Sequence, residues 1–266
     1  MVSSLSIIFM VISLIISLAL PIGGIIYLKK KYKASLKIFF IGMLSFFISV
    51  QILEAPIHSY FLSINKTTSE FLLGSPIAYM LYGGLMAGIF EETARLVSFK
   101  YLIKDRNNIN AITYGIGHGG IEAILIGAMS SLNAIIYSVL INKGGFQSVM
   151  EGALVSKDVI SATYDQFVNT SSYIWLMTGS ERIIAMLIHI SLSVLVCYAI
   201  KEKKYIYYGI AIIIHAIIDF PAALYQTGVI DNMILVEVII LILAILLATL
   251  VFRKFIKKSQ NINEFI

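Results

Sequence analysis

Seven stretches of apolar residues, each about 20 residues or longer, constrain this 266-residue chain more than any other feature. They cover residues 5–28, 38–62, 75–103, 111–140, 175–200, 205–225 and 233–252. A helix that crosses the hydrocarbon core of a bilayer needs about 20 such residues. Composition agrees: 59% of residues are hydrophobic and 13% charged, with a mean hydropathy of +0.90, against about 45–50% and about 25% in soluble domains. The sequence therefore predicts an all-α, polytopic membrane bundle of seven transmembrane helices, built as one integral membrane domain over residues 1–266. No internal repeat interrupts it. Residues 1–19 lack the basic residue that precedes the apolar run of a secretory signal peptide, so this segment reads as a retained first span. Pro21, Gly23 and Gly24 predict a kink within it. The loop 142–173 holds two stretches, 149–154 and 159–167, that suit short surface helices. The lone Cys197 excludes an intrachain disulfide and a cysteine zinc motif.

Basic residues orient the spans. One cluster follows the first span (Lys29, Lys30, Lys31, Lys33) and another the third (Lys104, Arg106). Two more follow the fifth (Lys201, Lys203, Lys204) and the seventh (Arg253, Lys254, Lys257, Lys258). The other side has only Lys66, Lys143 and Lys157. Seven crossings put all four clusters on one side, with the N-terminus outside and the C-terminus cytoplasmic. An error of one span would put adjacent clusters on opposite faces. This distribution accounts for the net charge of +5; the partner it implies is the lipid bilayer, and nucleic acid is not implied.

Against this apolar background a few ionisable residues stand out. The third span carries Glu91, Glu92 and Arg95; the fourth His118 and Glu122; the fifth His189; the sixth His215 and Asp219. A charge in hydrocarbon costs several kcal/mol, so such residues are rare and face a partner or a water-filled cavity. At a rise of about 1.5 Å per residue, Glu91, Glu92, Glu122, His189 and His215 each lie roughly 15–17 Å from the basic end of their span, and His118 roughly 11 Å. Four spans thus bring Glu, His or Asp close to one plane near mid-bilayer. Arg95 lies one turn from both acids. His118 and Glu122 are four apart, as are His215 and Asp219, which lets each carboxylate orient its imidazole. Such a set can activate water in two ways. A metal bound by His and Glu can lower the pKa of water, or a Glu–His pair can remove its proton directly. Structural ion pairing between helices uses the same residue types. Glu181 and Arg182, at the start of the fifth span, read as a structural feature; being adjacent, they are not expected to face one another.

Glu-Glu-x-x-Arg at 91–95, Gly-His-Gly-Gly-Ile-Glu at 117–122, an intramembrane His189 and His-x-x-x-Asp at 215–219 together resemble the CAAX prenyl endopeptidase superfamily. That superfamily includes the CPBP (Abi) immunity proteins, the PrsW proteases and the scaffold subunit of gamma-secretase. The glycine-rich version of the second motif is most similar to the YhfC family of intramembrane metalloproteases. The resemblance covers about residues 75–225. It implies an intramembrane peptidase of the bacterial plasma membrane that hydrolyses a peptide bond in a membrane-anchored protein or peptide. It assigns catalytic roles to Glu91, Glu92, Arg95, His118, Glu122, His189, His215 and Asp219, and a Zn2+ site to Glu92, His118, His189 and His215. Asp219 stands where CAAX endopeptidases often have Asn; a carboxylate there suits a metal site or a histidine-orienting role better than an oxyanion hole. Two rival readings keep the same residues: a catalytically silent scaffold or immunity protein, and an ion or metal transporter.

Overall fold

The computed structural model describes residues 1–256, and no strand occurs among them. Ten helices follow in order among the described residues: α1 (Ser4–Tyr32), α2 (Leu36–Ile64), α3 (Lys66–Gly74), α4 (Pro76–Leu102), α5 (Asn108–Asn142), α6 (Phe146–Gly152), α7 (Lys157–Asn169), α8 (Ser172–Lys201), α9 (Ile206–Gln226) and α10 (Met233–Ile256). Lys257 and Lys258, counted above in the last basic cluster, lie outside the described residues.

Six of these helices (α1, α2, α5, α8, α9 and α10) are long and apolar enough to cross a bilayer. The pair α3–α4, bent by 108° at Gly74–Ser75, makes a seventh if taken as one span. The bend has a local cause. Pro76 lacks an N–H and pushes the residue before it out of the helical region. Ser75 is accordingly extended (φ −128°, ψ 107°), and its hydroxyl caps α4 by accepting from Ala78 N–H at 3.3 Å. By contrast, α1 remains helical through Pro21. The loop 142–173 contains the two short helices α6 and α7. Turns of π-helix interrupt α2 and α5 and close α2, α4 and α10; the one in α5, Ala123–Ala128, begins directly after Glu122.

The chain divides into two compact units, and the divisions fall inside α1, α5 and α8. The first comprises Met1–Leu20 and Glu122–Ile183. Its core gathers Met10, Ala134, Ile141, Phe146 and Phe167. Here Ser13 Oγ donates to the Trp175 carbonyl at 2.6 Å and accepts from Gly179 N–H at 3.1 Å, so a hydroxyl from α1 bridges two backbone groups one turn apart on α8.

The second unit comprises Pro21–Ile121 and the described residues from Ile184 onward. Its core includes Phe99, Tyr114, Leu192, Val196, Ala211 and Ala244, all fully or almost fully buried. Within it α4 lies directly on α9. A Cβ at Gly88 would come within 2.7 Å of the Ile212 carbonyl, so only glycine permits that approach. Outward-facing side chains such as Phe40, Leu44, Ile213 and Leu246 are largely exposed and apolar, as lipid contact requires.

Candidate functional site

The site grows from α4. Consecutive residues on a helix point about 100° apart, so Glu91 and Glu92 cannot do the same work. Arg95, one turn on, reaches both: Nη1 donates to Glu92 Oε1 at 2.7 Å and Nη2 to Glu91 Oε2 at 3.5 Å. Arg95 and Glu92 are completely buried, while Glu91 keeps a trace of exposure. Two charges without water are tolerable only as a closely paired, hydrogen-bonded set.

Helix α5 brings His118 to Glu91, with Nε2 to Oε2 at 3.0 Å. Helix α8 brings His189, whose Nδ1 lies 3.7 Å from the same oxygen. Gly119 makes room for this meeting, since a Cβ there would press on the His189 ring at 2.8 Å. Donor atoms of Glu91, His118 and His189 all lie within 4.8 Å of one another, and all three residues are buried. Helix α9 adds His215. Its Nδ1 donates to Glu92 Oε1 at 2.7 Å; its Nε2 lies 3.9 Å from Glu91 Oε1 and 3.5 Å from Asp219 Oδ2. The Asp219 side chain is 38% exposed, which makes it the open edge of an otherwise sealed cluster.

Seven of the eight predicted residues therefore converge, all in the second unit. Glu122 instead bonds Arg182 at 2.5 Å within the first unit. Four residues along a helix leave an offset of about 40°, and the partner decides which way the side chain turns. Arg182 also pairs with Glu181 at 2.5 Å, contrary to the expectation that neighbours do not meet; its long side chain folds back to reach the adjacent carboxylate. Of the four residues to which the sequence assigns a metal, Glu92, His118, His189 and His215, only His118 and His189 fall in the close donor group, and the carboxylate that joins them is Glu91. Glu92 Oε1 is occupied by Arg95 and by His215 Nδ1, while Glu92 Oε2 is buried with no hydrogen-bond partner among the described residues.

Two residues that serve the cluster were not singled out from the sequence. Tyr114 Oη lies 3.3 Å from His118 Nδ1 and 2.5 Å from Ser45 Oγ, and Ser45 Oγ is 2.9 Å from the Gly42 carbonyl. Tyr114 is one turn before His118, the spacing that pointed to Glu122; Ser45 on α2 carries no spacing signal at all.

The donor set tests whether a metal suits this place. Two imidazoles and a carboxylate within one coordination sphere form the ligand type of catalytic zinc centres, which keep a further position open. A histidine that binds metal through Nε2 must carry its proton on Nδ1 and needs an acceptor there. The run His118 Nδ1–H, Tyr114 hydroxyl, Ser45 hydroxyl, Gly42 carbonyl supplies one, with every donor aimed at an acceptor. One contact would have to yield: Arg95 Nη2 now donates to His189 Nδ1 at 2.5 Å, on the nitrogen that faces Glu91. The residues fit a metal on these terms.

The chain matches a known family, described as YhfC intramembrane metalloprotease, over residues 16–240, a range that contains every residue of the cluster. It is 41% identical over 247 residues to the "Uncharacterized membrane protein YhfC" of Bacillus subtilis (strain 168), covering 92% of this chain and 95% of that protein. No solved structure matches. With matched helices this extensive and the polar cluster inside them, the chain belongs to the YhfC intramembrane metalloprotease family.

Proposed function

We propose that this integral membrane protein is a zinc-dependent intramembrane peptidase acting on a membrane-anchored protein or peptide. The observation that carries this reading is the convergence of Glu91, His118 and His189 donor atoms within 4.8 Å in a buried, bilayer-spanning fold. Glu91, His118 and His189 would hold the metal, which when bound supplies Lewis acidity and lowers the pKa of water.

The chain's own residues do the rest. Glu92, neutralised by Arg95, accepts the Nδ1 proton of His215 and so leaves the His215 Nε2 lone pair as the base. This arrangement follows the logic of a carboxylate that fixes the tautomer and orientation of a catalytic imidazole. His215 Nε2 faces Glu91 and Asp219, so a proton taken from water is held at that nitrogen and returned to the leaving amine. Asp219, at the open edge, accepts a hydrogen bond from His215 Nε2–H once that nitrogen holds the proton, or from a substrate N–H. Tyr114 and Ser45 hold the His118 ring.

The contact between Arg95 and His189 Nδ1 supports a second version, a metal-independent hydrolysis in which Glu91 itself takes the proton. The two versions separate on purified protein. Metal content would be measured beside cleavage of fluorogenic transmembrane peptides in proteoliposomes. About one zinc per chain, lost in His118→Ala and His189→Ala together with activity, supports the metal version. Cleavage that survives complete chelation moves the base to Glu91. No cleavage of any peptide with metal fully bound overturns the peptidase reading.

A further inference from the structure

A stripe along α8, away from the polar cluster, runs Leu187, Ile190, Val194, Tyr198, Lys201, a spacing of three and four that keeps one helix face. That face lies in a groove flanked by α5 and α10. The groove has two parts that share Val194. The mainly apolar part, about 650 Å³, is lined by Ile112, Leu187, Ile190, Val194, Ala248 and Phe252 among others, with Arg253 as its one charged residue. The second part, about 220 Å³, sits at the basic end of the helices and carries Arg106, Lys201 and Lys254, with Cys197 and Phe255 buried beneath and Glu202 as the one acid. Ile112 and Asn108, one turn apart on α5, line the two parts in turn, so the apolar part and the cationic part adjoin at Val194.

The cationic end is organised in advance. Arg106 is pinned by bonds from Nε to the Phe99 carbonyl at 2.6 Å and from Nη2 to the Lys100 carbonyl at 3.0 Å, where it caps the end of α4. Lys254 Nζ lies over the Tyr207 ring, 5.0 Å from its centre. None of the three cations forms a salt bridge with a carboxylate among the described residues. Three cations against one acid leave an excess of two positive charges over a small pocket.

We propose that this groove is a binding site for one anionic phospholipid, its headgroup phosphate held by Arg106, Lys201 and Lys254 and an acyl chain lying along Val194, Ile190 and Leu187. Charge complementarity selects the headgroup, and the apolar groove selects an amphipathic ligand over a free anion. The site is independent of the proposed peptidase chemistry.

Native mass spectrometry of delipidated, full-length protein titrated with phosphatidylglycerol or phosphatidylcholine tests it. The expected result is a phosphatidylglycerol adduct preferred over phosphatidylcholine. The preference falls about 30-fold in Lys201→Gln/Lys254→Gln, since each cation near an anionic surface contributes roughly a factor of five. Arg106 is spared because it also caps α4. A control, Lys29→Gln/Lys30→Gln/Lys33→Gln, keeps the preference although it removes more charge from the same side. Ala248→Phe, which fills the groove and leaves every cation in place, weakens both lipids. Equal binding of the two lipids overturns the proposal, as does an unchanged preference in Lys201→Gln/Lys254→Gln with melting temperature intact. Displacement of the lipid by millimolar inorganic phosphate assigns the cationic end to a free anion and overturns it equally.

Discussion

Glu91 and Glu92 are neighbours in sequence and opposites in circumstance. Glu92 is sealed, with one oxygen shared by Arg95 and His215; Glu91 faces two histidines and retains slight exposure. Glu91→Gln should therefore keep the fold and abolish both metal binding and cleavage, read by metal analysis and peptide assay. Glu92→Gln should instead lower stability by about 3–5 kcal/mol, the cost of breaking a buried pair, visible as a lower melting temperature in detergent. Tyr114→Phe removes the acceptor from His118 Nδ1 and should weaken metal affinity by about 10- to 100-fold with little change in melting temperature. Sequence alone located the ionisable cluster because charged residues are conspicuous in hydrocarbon. It could not separate the two acids, since that depends on which neighbouring helix each one meets. Tyr114 escaped notice because a tyrosine among apolar residues looks like packing.

At the scale of helices, contacts between backbones set the site's dimensions. Gly88 allows α4 to lie on α9, which carries His215, and Gly115 allows α5 to lie on α8, which carries His189, since a Cβ there would come within 2.7 Å of Ile190 Cα. Gly88→Ala and Gly115→Ala should each lower the melting temperature and impair cleavage by prying these pairs apart, whereas Gly83→Ala, with nothing near its would-be Cβ, should be silent in both assays. The spans themselves were legible from apolar runs, and their ends agree with the helices to within a few residues. The sharp bend at Gly74–Ser75 falls where the third span was read to begin, and Pro76 and the capping serine mark it locally; the helix α3 before it was not anticipated. Glu122 shows the limit of periodicity: its spacing predicts a shared face with His118 and a role in orienting that imidazole, but the guanidinium of Arg182, distant in sequence, captures the carboxylate.

For the whole molecule, the count of crossings turns on α3–α4. Taken as one bent span, it gives seven crossings and termini on opposite sides of the membrane; as a re-entrant pair it leaves six and both termini on one side. Single cysteines placed at Ser3 and at Lys204 in a Cys197→Ser background decide this by labelling intact cells with a membrane-impermeant maleimide. Seven crossings predict labelling at Ser3 from outside and at Lys204 only after lysis. The basic clusters favour that result, because an even count divides them between the two faces. The bridge that Ser13 makes to Trp175 and Gly179 adds a constraint in time. Helix α1 is synthesised first and α8 some 160 residues later, so the first turns of α8 acquire their full set of bonds only against a helix already waiting in the bilayer. The N-terminal span thus acts as a template on which a late segment is finished, and a chain that lacks α1 should insert its remaining spans yet leave Trp175 C=O and Gly179 N–H without this bridge, read as faster amide exchange at Gly179.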